Sequence, residues 1–529
     1  MSHSAESESA GAGPEPDVSL RVTGGLATSL GLSVMWVVSA FVPQAGFPPT
    51  IVADAAVRAT PGDVATFFIE GLGHWAMRLL IVGVLVAIVV VGAGMLGWTR
   101  NRTGPRPFVA GLVMAALAAV ALAIGPPSSA AIATAFVGLV GGLTYGLAAR
   151  SLITNREARR VPERVPEESD TVPADPSRRG FLRLGTGGVL AITTAGGVIG
   201  WLGRRLEGPD TDVALVAPAV RAEVPERGAF PDVPGLSREI TTVGDHYVVD
   251  INLVQPSVDA SGWELRVFGE VERPLTIDFA ELQERFEVVE EFSVLSCISN
   301  EVGGDLIGNS AWGGVRLRDV LEEAGIGPRG VELVLRAADG YEDSFPVELG
   351  MEESVLLAVS HNGKPLTQEH GFPCRVRIPR LYGMENVKWL ESIEVVRSDH
   401  RGYWQRRGWK DTAEVRTQSR IDVAGDEGVA APGIETWIGG VAWAGTRGIS
   451  KVEVSIDDGS TWTEAQLKDP VATNAWRLWA YRWTPERAGE VTVTCRATDG
   501  AGAVQTDELA PPHPAGATGY HSVAVAVRA

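Results

Sequence analysis

The run Phe292-Ser293-Val294-Leu295-Ser296-Cys297-Ile298-Ser299-Asn300 holds one of only three cysteines in 529 residues, the others being Cys374 and Cys495. Thiols so few and so scattered cannot build a Cys-x-x-Cys zinc site, an iron–sulfur cluster or a disulfide framework. A functional cysteine in this chain therefore acts alone, as a nucleophile or as the single protein ligand of a cofactor that brings its own donors. A buried structural thiol is the competing reading, and the run by itself does not choose between them.

Composition divides the chain around that run. Residues 1 to 205 contain 16 Arg and no Lys against 13 Asp and Glu, a net charge of +3, and the remainder carries 30 basic against 52 acidic residues, a net charge of −22. An acidic body of this kind excludes nucleic acid as a partner, because phosphate neutralisation needs clustered Lys and Arg. The front is apolar. Leu79 through Trp98 contains no charged residue, which matches the roughly 20 residues that cross a bilayer core. Segments 23–43, 107–124 and 129–148 are similar and rich in the small residues that let helices approach, and a fifth, 181–203, is more Gly/Thr-rich.

Orientation follows from arginine. With the N-terminus inside, the inner segments 99–106 and 149–179 hold Arg100, Arg102, Arg106, Arg150, Arg156, Arg159, Arg160, Arg164, Arg178 and Arg179. The outer connections hold little beyond Arg58 and Arg78, so five spans place everything after residue 205 outside. His74 is the one histidine among the predicted helices, which excludes a bis-histidine haem there. The front is expected to be an anchor.

Behind it, residues 206–243 are rich in Pro, Gly, Asp and Glu and read as a linker. Trp263 to Gly269 alternates like a half-buried strand, and 315–324 reads as a short helix with Val315, Leu317, Val320 and Leu321 on one side. From about 432 the pattern is pure β. Val452, Val454 and Ile456, then Val491, Val493 and Cys495, then Val523, Val525 and Val527 alternate between Gly/Asp turns, as in a sandwich of immunoglobulin type. Cys495 is then a core residue.

Three blocks in order carry a family resemblance. Ser296-Cys297-Ile298-Ser299-Asn300 with Val302 to Asn309, Trp312 and Gly314 resembles the molybdenum-binding segment of the sulfite oxidase family. Gly340-Tyr341, Ser344-Phe345-Pro346, Asn362 to Leu366, His370 to Arg375, Tyr382-Gly383 and Val387 to Leu390 are similar to its pterin-binding stretch. Tyr403-Trp404-Gln405-Arg406-Arg407-Gly408-Trp409 marks the passage to its C-terminal domain, so the likeness covers roughly residues 240 to 529.

Hydropathy and resemblance together give an all-α membrane anchor followed by an α+β sulfite-oxidase-like molybdopterin domain and a C-terminal immunoglobulin-like β-sandwich, which the resemblance implies to mediate dimerisation. The expected divisions are a disordered tail 1–22, a four-span anchor 23–148, a cytoplasmic linker 149–176, an export signal with fifth span 177–205, the linker 206–243, a catalytic domain 244–410 and the sandwich 432–529. The resemblance implies Cys297 as the ligand of a molybdenum–molybdopterin cofactor, a soft thiolate suiting that centre. His370, Arg375, Lys388 and Asn300 are implied as cofactor-binding, with Arg as a fork and Lys as a point charge on the phosphate. Tyr341 is implied as the active-site tyrosine. A cytoplasm-made cofactor also gives a reason for Ser177-Arg178-Arg179-Gly180-Phe181-Leu182-Arg183, which resembles the twin-arginine export pattern.

Two departures bear on substrate. The family has an arginine a few residues after the ligand cysteine, where this chain reads Asn300-Glu301-Val302, and one in an early strand, where Tyr247-Val248-Val249-Asp250 offers none. Binding a small dianion such as sulfite without a counter-charge is costly, so Arg316, Arg380 or a residue from a neighbouring subunit would have to serve. The expected enzyme is a membrane-anchored, extracytoplasmic oxidoreductase that passes electrons to a separate carrier. A reductase of sulfoxide-type substrates and a non-catalytic anchored binding protein are the alternatives.

Changing Arg178→Lys together with Arg179→Lys preserves charge and hence positive-inside topology, yet should strand the body inside if the pair is an export signal. Protease protection of the body in spheroplasts reads this directly, and digestion equal to wild type would refute the export reading.

Overall fold

The computed structural model describes residues 18–41, 47–72, 75–98, 131–158, 211, 213–224, 228–252 and 255–528. The predicted spans 107–124 and 181–203, the twin-arginine stretch and most of the tail 1–22 lie outside the described residues. The chain forms two compact units, one of helices within the first 208 residues and one from Pro209 onwards together with Pro61–Phe67.

In the first unit, α1 Val18–Phe41 packs against both α4 Trp75–Trp98 and α5 Ala131–Ala158. Small residues make the approach possible. A methyl at Gly92 would lie 2.0 Å from Thr28 Oγ1, and the bare backbone instead accepts the Tyr145 hydroxyl at 3.1 Å. Three described segments are long and apolar enough to cross a membrane: Arg21–Ser39, Trp75–Met95 and Thr134–Leu152. Two elements not foreseen, α2 Pro48–Ala59 and α3 Gly62–Leu72, occupy the connection between the first two. Pro48 and Pro49 open α2, where a missing N–H costs nothing.

The second unit holds two sheets before residue 400. One has the order β2 Leu275–Asp278, β1 Glu264–Gly269, β10 Leu390–Val396, β5 Glu332–Ala337 and β6 Glu342–Pro346, with β1 and β10 parallel. The other runs β3 Val288–Ser296, β4 Ile307–Arg316, β7 Leu356–His361 and β8 Lys364–Pro365, with β9 Arg375–Arg377 also on β7. Helix α6 Phe279–Arg285 starts at a reciprocal cap between Asp278 and Glu281. The expected helix at 315–324 is α7 Leu317–Ala324, with Leu317, Val320, Leu321 and Ala324 fully buried, whereas Val315 belongs to β4. A four-residue helix, α8 Val347–Gly350, completes the set. One apolar core, including Leu265, Ile277, Leu333, Leu335, Leu357, Val359 and Ile393, lies between these elements.

The C-terminal part is β-rich. Its sheets are β11 Gln418–Ala424, β13 Thr436–Trp443, β17 Arg477–Trp483, β16 Gln466–Leu467, and β12 Val429–Ala430, β19 His521–Val527, β18 Gly489–Asp499, β14 Ile449–Ser455, β15 Thr463–Glu464. Ile438 and Trp479 from one sheet meet Val452, Val493, Cys495 and Val525 from the other in a single core. Cys495 is fully buried there, and Cys374 is fully buried in the core of the preceding part.

The described parts of 206–243 are not a free spacer. Ala219 and Val220 bond to the backbone of Val288 and Glu290, and Phe230 and Val233 are buried. The Glu239 carbonyl accepts from Asn309 Nδ2 at 2.8 Å and Trp476 Nε1 at 2.9 Å, while its carboxylate pairs with the buried Lys468 at 2.6 Å. The strap thus ties both parts of the second unit together.

Candidate active site

Cys297 follows β3 directly, on the loop from Cys297 to Leu306 that closes the β3–β4 hairpin. Its N–H donates to the Leu306 carbonyl at 2.9 Å, and the Asn300 side chain accepts from the Leu306 N–H at 2.9 Å, so the loop is braced across its base. Asn300 thereby has a supporting role at the thiol, with its Nδ2 buried and unbonded. The thiol is buried, and burial pushes its pKa up against the opposing pull of the Ser299 and Ile298 N–H groups and the Ser299 hydroxyl.

A second loop closes on the first. Gly383 N–H donates to the Ser296 carbonyl at 2.8 Å, and a methyl on Gly383 would lie 2.8 Å from the Tyr247 hydroxyl and displace it. The Tyr247 hydroxyl thus lies at the junction of the two loops, whereas the Tyr382 hydroxyl accepts from the Arg416 N–H at 3.2 Å. Tyr341, the expected active-site tyrosine, is committed elsewhere. Its hydroxyl contacts Asp343 Oδ2 at 2.6 Å and the Met384 carbonyl at 3.0 Å, which supports the second loop from within the core. Asp343, buried and also bonded to Gln405 and the Ser344 N–H, is pushed up to about 7 by burial.

Sheet register assembles a pocket beside the loops. Trp312 on β4 is directly opposite His361 on β7, and Ala358 and Leu356 on β7 are opposite Arg375 and Arg377 on β9. Residues two apart share a face, so both guanidinium groups stack over Trp312, at 5.3 and 4.9 Å, while the His361 ring stacks on it at 4.3 Å. His246 and His370 complete the pocket, each pair among the three histidines being 5.0 to 5.4 Å apart. Burial drives their pKa values down, to about 3 for His361 and about 4 for His370, with the arginines adding to the shift.

The arginines are unusual in their bonding. Arg375 donates to the carbonyls of His370 and Asn386, both at 3.0 Å, and Arg377 donates to Asn386 Oδ1, Ser293 Oγ and the Val294 carbonyl. Every one of these acceptors is neutral, and among the described residues neither arginine makes an ion pair. A buried cation without a counter-ion is strongly unfavourable. Lys388 differs: it pairs with Asp250, donates to the Glu369 carbonyl at 3.0 Å and lies over Trp389 at 4.6 Å. It reaches the site with its charge already partly balanced.

Residues 252–404 match the family model described as oxidoreductase molybdopterin binding domain, and 410–526 match Mo-co oxidoreductase dimerisation domain. The sulfite oxidase of Gallus gallus is 30% identical over 331 residues, 54% of this chain and 72% of that protein. The chain belongs to the sulfite oxidase family. It is a molybdenum-dependent oxidoreductase with a molybdenum–molybdopterin cofactor. Human mitochondrial sulfite oxidase is 35% identical over 239 residues, with 44% of its length covered. An uncharacterized oxidoreductase of Bacillus subtilis, YuiH, is 35% identical over 151 residues, 28% of this chain and 74% of that protein.

The pocket fits this cofactor. His246 Nε2, His361 Nδ1, Arg375 Nε, Arg377 Nε and Asn300 Nδ2 are buried polar atoms without partners in the fold itself. Two guanidinium groups without a direct ion pair, one of them bonded to the strand that ends at a lone thiol, suit a group that is anionic at one end and metal-bearing at the other. Sequence reasoning missed His246, His361, Arg377 and Tyr247. Arg377 alone had a local signal, its period-two spacing from Arg375.

A histidine whose folded pKa lies below its unfolded 6.5 contributes stability that is whole above that pH and is lost as the pH falls towards the folded value. Cofactor-free protein should therefore lose denaturant resistance between pH 6.5 and about 4, and His361→Asn should lose less over that window. Urea melts at several pH values compare the two, and parallel declines would refute the neutral-ring assignment.

Proposed function

We propose that this protein is a membrane-anchored, extracytoplasmic member of the family that carries out oxygen-atom transfer at a molybdenum centre ligated by Cys297 and passes electrons to a separate carrier. The observation that carries the reading is the buried lone thiol set beside two buried arginines bonded only to neutral acceptors. His370, Arg375 and Arg377 would hold the anionic end of the cofactor, with His246, His361 and Lys388 at its margin. When bound, molybdenum–molybdopterin supplies the two-electron oxygen-atom chemistry. The chain's own residues orient and exclude: Tyr247 brings its hydroxyl to the contact between Gly383 and the cysteine loop, and Trp312 covers the arginines from water.

Anchoring is supported by α4, whose Leu79, Val82, Val86 and Val90 are all more than half exposed, an apolar face suited to lipid. We read the C-terminal part as immunoglobulin-like and as the surface through which two copies pair, in keeping with its dimerisation-domain match.

A neutral substrate such as a sulfoxide is the second reading, and one feature favours it over sulfite. A surface cleft of about 460 Å³ opens beside the cysteine loop, lined by Glu301, Val302, Leu509, Pro511 and Thr518, with no basic side chain. Arg316 pairs with Glu287, and Arg380 pairs with Glu352 and Glu414, so neither is an uncommitted counter-charge for a dianion. Val248 is exposed whereas Val302 lines the cleft, which makes Val302 the better position for an added charge.

Cys297→Ser should abolish molybdenum-dependent turnover, because a serine oxygen is a harder donor, while Cys374→Ala keeps the metal and loses at most a few kcal/mol of stability. Elemental analysis with both assays, ferricyanide with sulfite and reduced viologen with a sulfoxide, tests ligand and direction together. Full metal and full activity in Cys297→Ser would sink the assignment, and no molybdenum in the wild type would favour the binding-protein alternative.

Val302→Arg should lower the KM for sulfite by about 2- to 5-fold with kcat unchanged, the size expected of a partly exposed charge pair that binds ground and transition states alike. Steady-state kinetics decides it. Rapid sulfite oxidation at low KM by the unmodified protein would show that another cation already serves.

A further inference from the structure

Beneath the second loop there is one acceptor too many for the protons at hand. The Tyr341 hydroxyl lies 2.6 Å from Asp343 Oδ2 and 3.0 Å from the Met384 carbonyl, two acceptors for its single proton. Asp343 Oδ1 already accepts twice, from the Ser344 N–H at 2.8 Å and from Gln405 Nε2 at 2.5 Å. Every one of these contacts is met only if Asp343 is a carboxylic acid that carries its proton on Oδ2 and donates it to the Tyr341 oxygen. Tyr341 is then free to donate to Met384.

The surroundings favour that form. Asp343 is fully buried, and Gly402 closes over it so tightly that a methyl there would lie 2.6 Å from Oδ1. The titratable groups that act on it are themselves acids: Tyr341, Glu385 on the second loop, and Asp411. Asp339 accepts from the Tyr341 N–H at 2.8 Å. The basic groups nearby are engaged elsewhere, His400 and Arg406 against Glu342, which faces the other side of β6, and Arg407 over the Tyr403 ring at 3.7 Å. Burial, and behind it the Asp411 carboxylate, raise the Asp343 pKa to about 7.

The loop that this proton reaches carries contacts in three directions. The Met384 carbonyl meets Tyr341, the Gly383 N–H donates to the Ser296 carbonyl one residue before Cys297, and Asn386 accepts from both buried arginines. We propose that Asp343 is a positioning residue that acts as a neutral acid: its proton commits the Tyr341 hydroxyl to the Met384 carbonyl and so latches the second loop onto the cysteine hairpin. When Asp343 ionises, the Tyr341 proton turns to the carboxylate. The Met384 carbonyl then faces a phenolic oxygen with no proton between them, and the latch opens. The inference goes beyond the proposed activity and does not require Cys297 to ligate a metal.

Hydrogen-exchange protection of the Gly383 amide, measured on the full-length, molybdenum-loaded protein at about pH 6 and about pH 8, reads the latch on either side of the Asp343 pKa. The wild type should lose about 5-fold in protection at the higher pH, the size of one hydrogen bond. Asp343→Asn, whose amide donates where the acid did, should keep the low-pH protection at both values, and Tyr341→Phe should show the reduced protection at both. No fall in the wild type, or a fall of wild-type size in Asp343→Asn, would overturn the proposal. If Asp343→Asn fails to fold, Tyr341→Phe decides: loss of the pH step supports the latch and a retained step overturns it. The pH profile of kcat is the functional counterpart, with a limb that falls above about pH 7 in the wild type and is absent from Asp343→Asn. Identical profiles in the two proteins would overturn the positioning role. Absence of turnover with both sulfite and a sulfoxide would count against the proposed activity and leave the exchange result standing.

Discussion

Two buried guanidinium groups whose hydrogen bonds all go to neutral oxygens are the constraint on which the catalytic part depends. Arg375 and Arg377 are at most 4% exposed, and all their partners are neutral oxygens. Low-dielectric surroundings do not tolerate such charge alone. Burial lowers both pKa values, to about 10 for Arg375 and about 9 for Arg377, yet each remains cationic at neutral pH. The rest of the pocket serves the same balance: three neutral rings, an indole beneath the cations, and backbone carbonyls turned inward. Within the fold, Asp250 offsets part of the Arg375 charge from a distance.

The thiol obeys a different logic. Cys297 is held by hairpin geometry rather than by charge, with Asn300 bracing its loop and Gly383 bringing a second loop into contact. Tyr341 and Asp343 sit one layer beneath that second loop. Charge pocket and thiol are joined through Asn386, which accepts from both arginines and bonds the second loop, and through Arg377, which donates to Ser293 and Val294 on β3.

What could be read from the sequence was whatever is local. Cys297, His370 and Arg375 stand in short motifs whose order survives in one chain, and Cys495 betrayed its burial by alternating with Val491 and Val493. Contacts closed by the tertiary fold were not legible. His246, His361 and His370 converge from three segments, and His513 reaches Ser299 from another part of the unit altogether. Tyr341 matched a motif, but no motif shows where a hydroxyl points, and this one bonds Asp343 and the Met384 carbonyl. The helices α2 and α3 escaped notice because, at 12 and 11 residues, both are too short to read as bilayer crossings. The strap escaped because Pro- and Gly-rich composition looks alike whether a segment floats or binds through its backbone.

That strap has a consequence for where the chain can be cut. Beyond Glu239 it contributes the Thr241 backbone to Asn309 and Asn362, the Val243 carbonyl to His370, and then His246 and Tyr247 themselves. A soluble version made by removing the hydrophobic helices must therefore retain the chain from about Val213 onward. Trimming to the start of the first strand at Glu264 would keep the motifs yet remove one wall of the cofactor pocket, and the segment that looks most dispensable would prove to be structural.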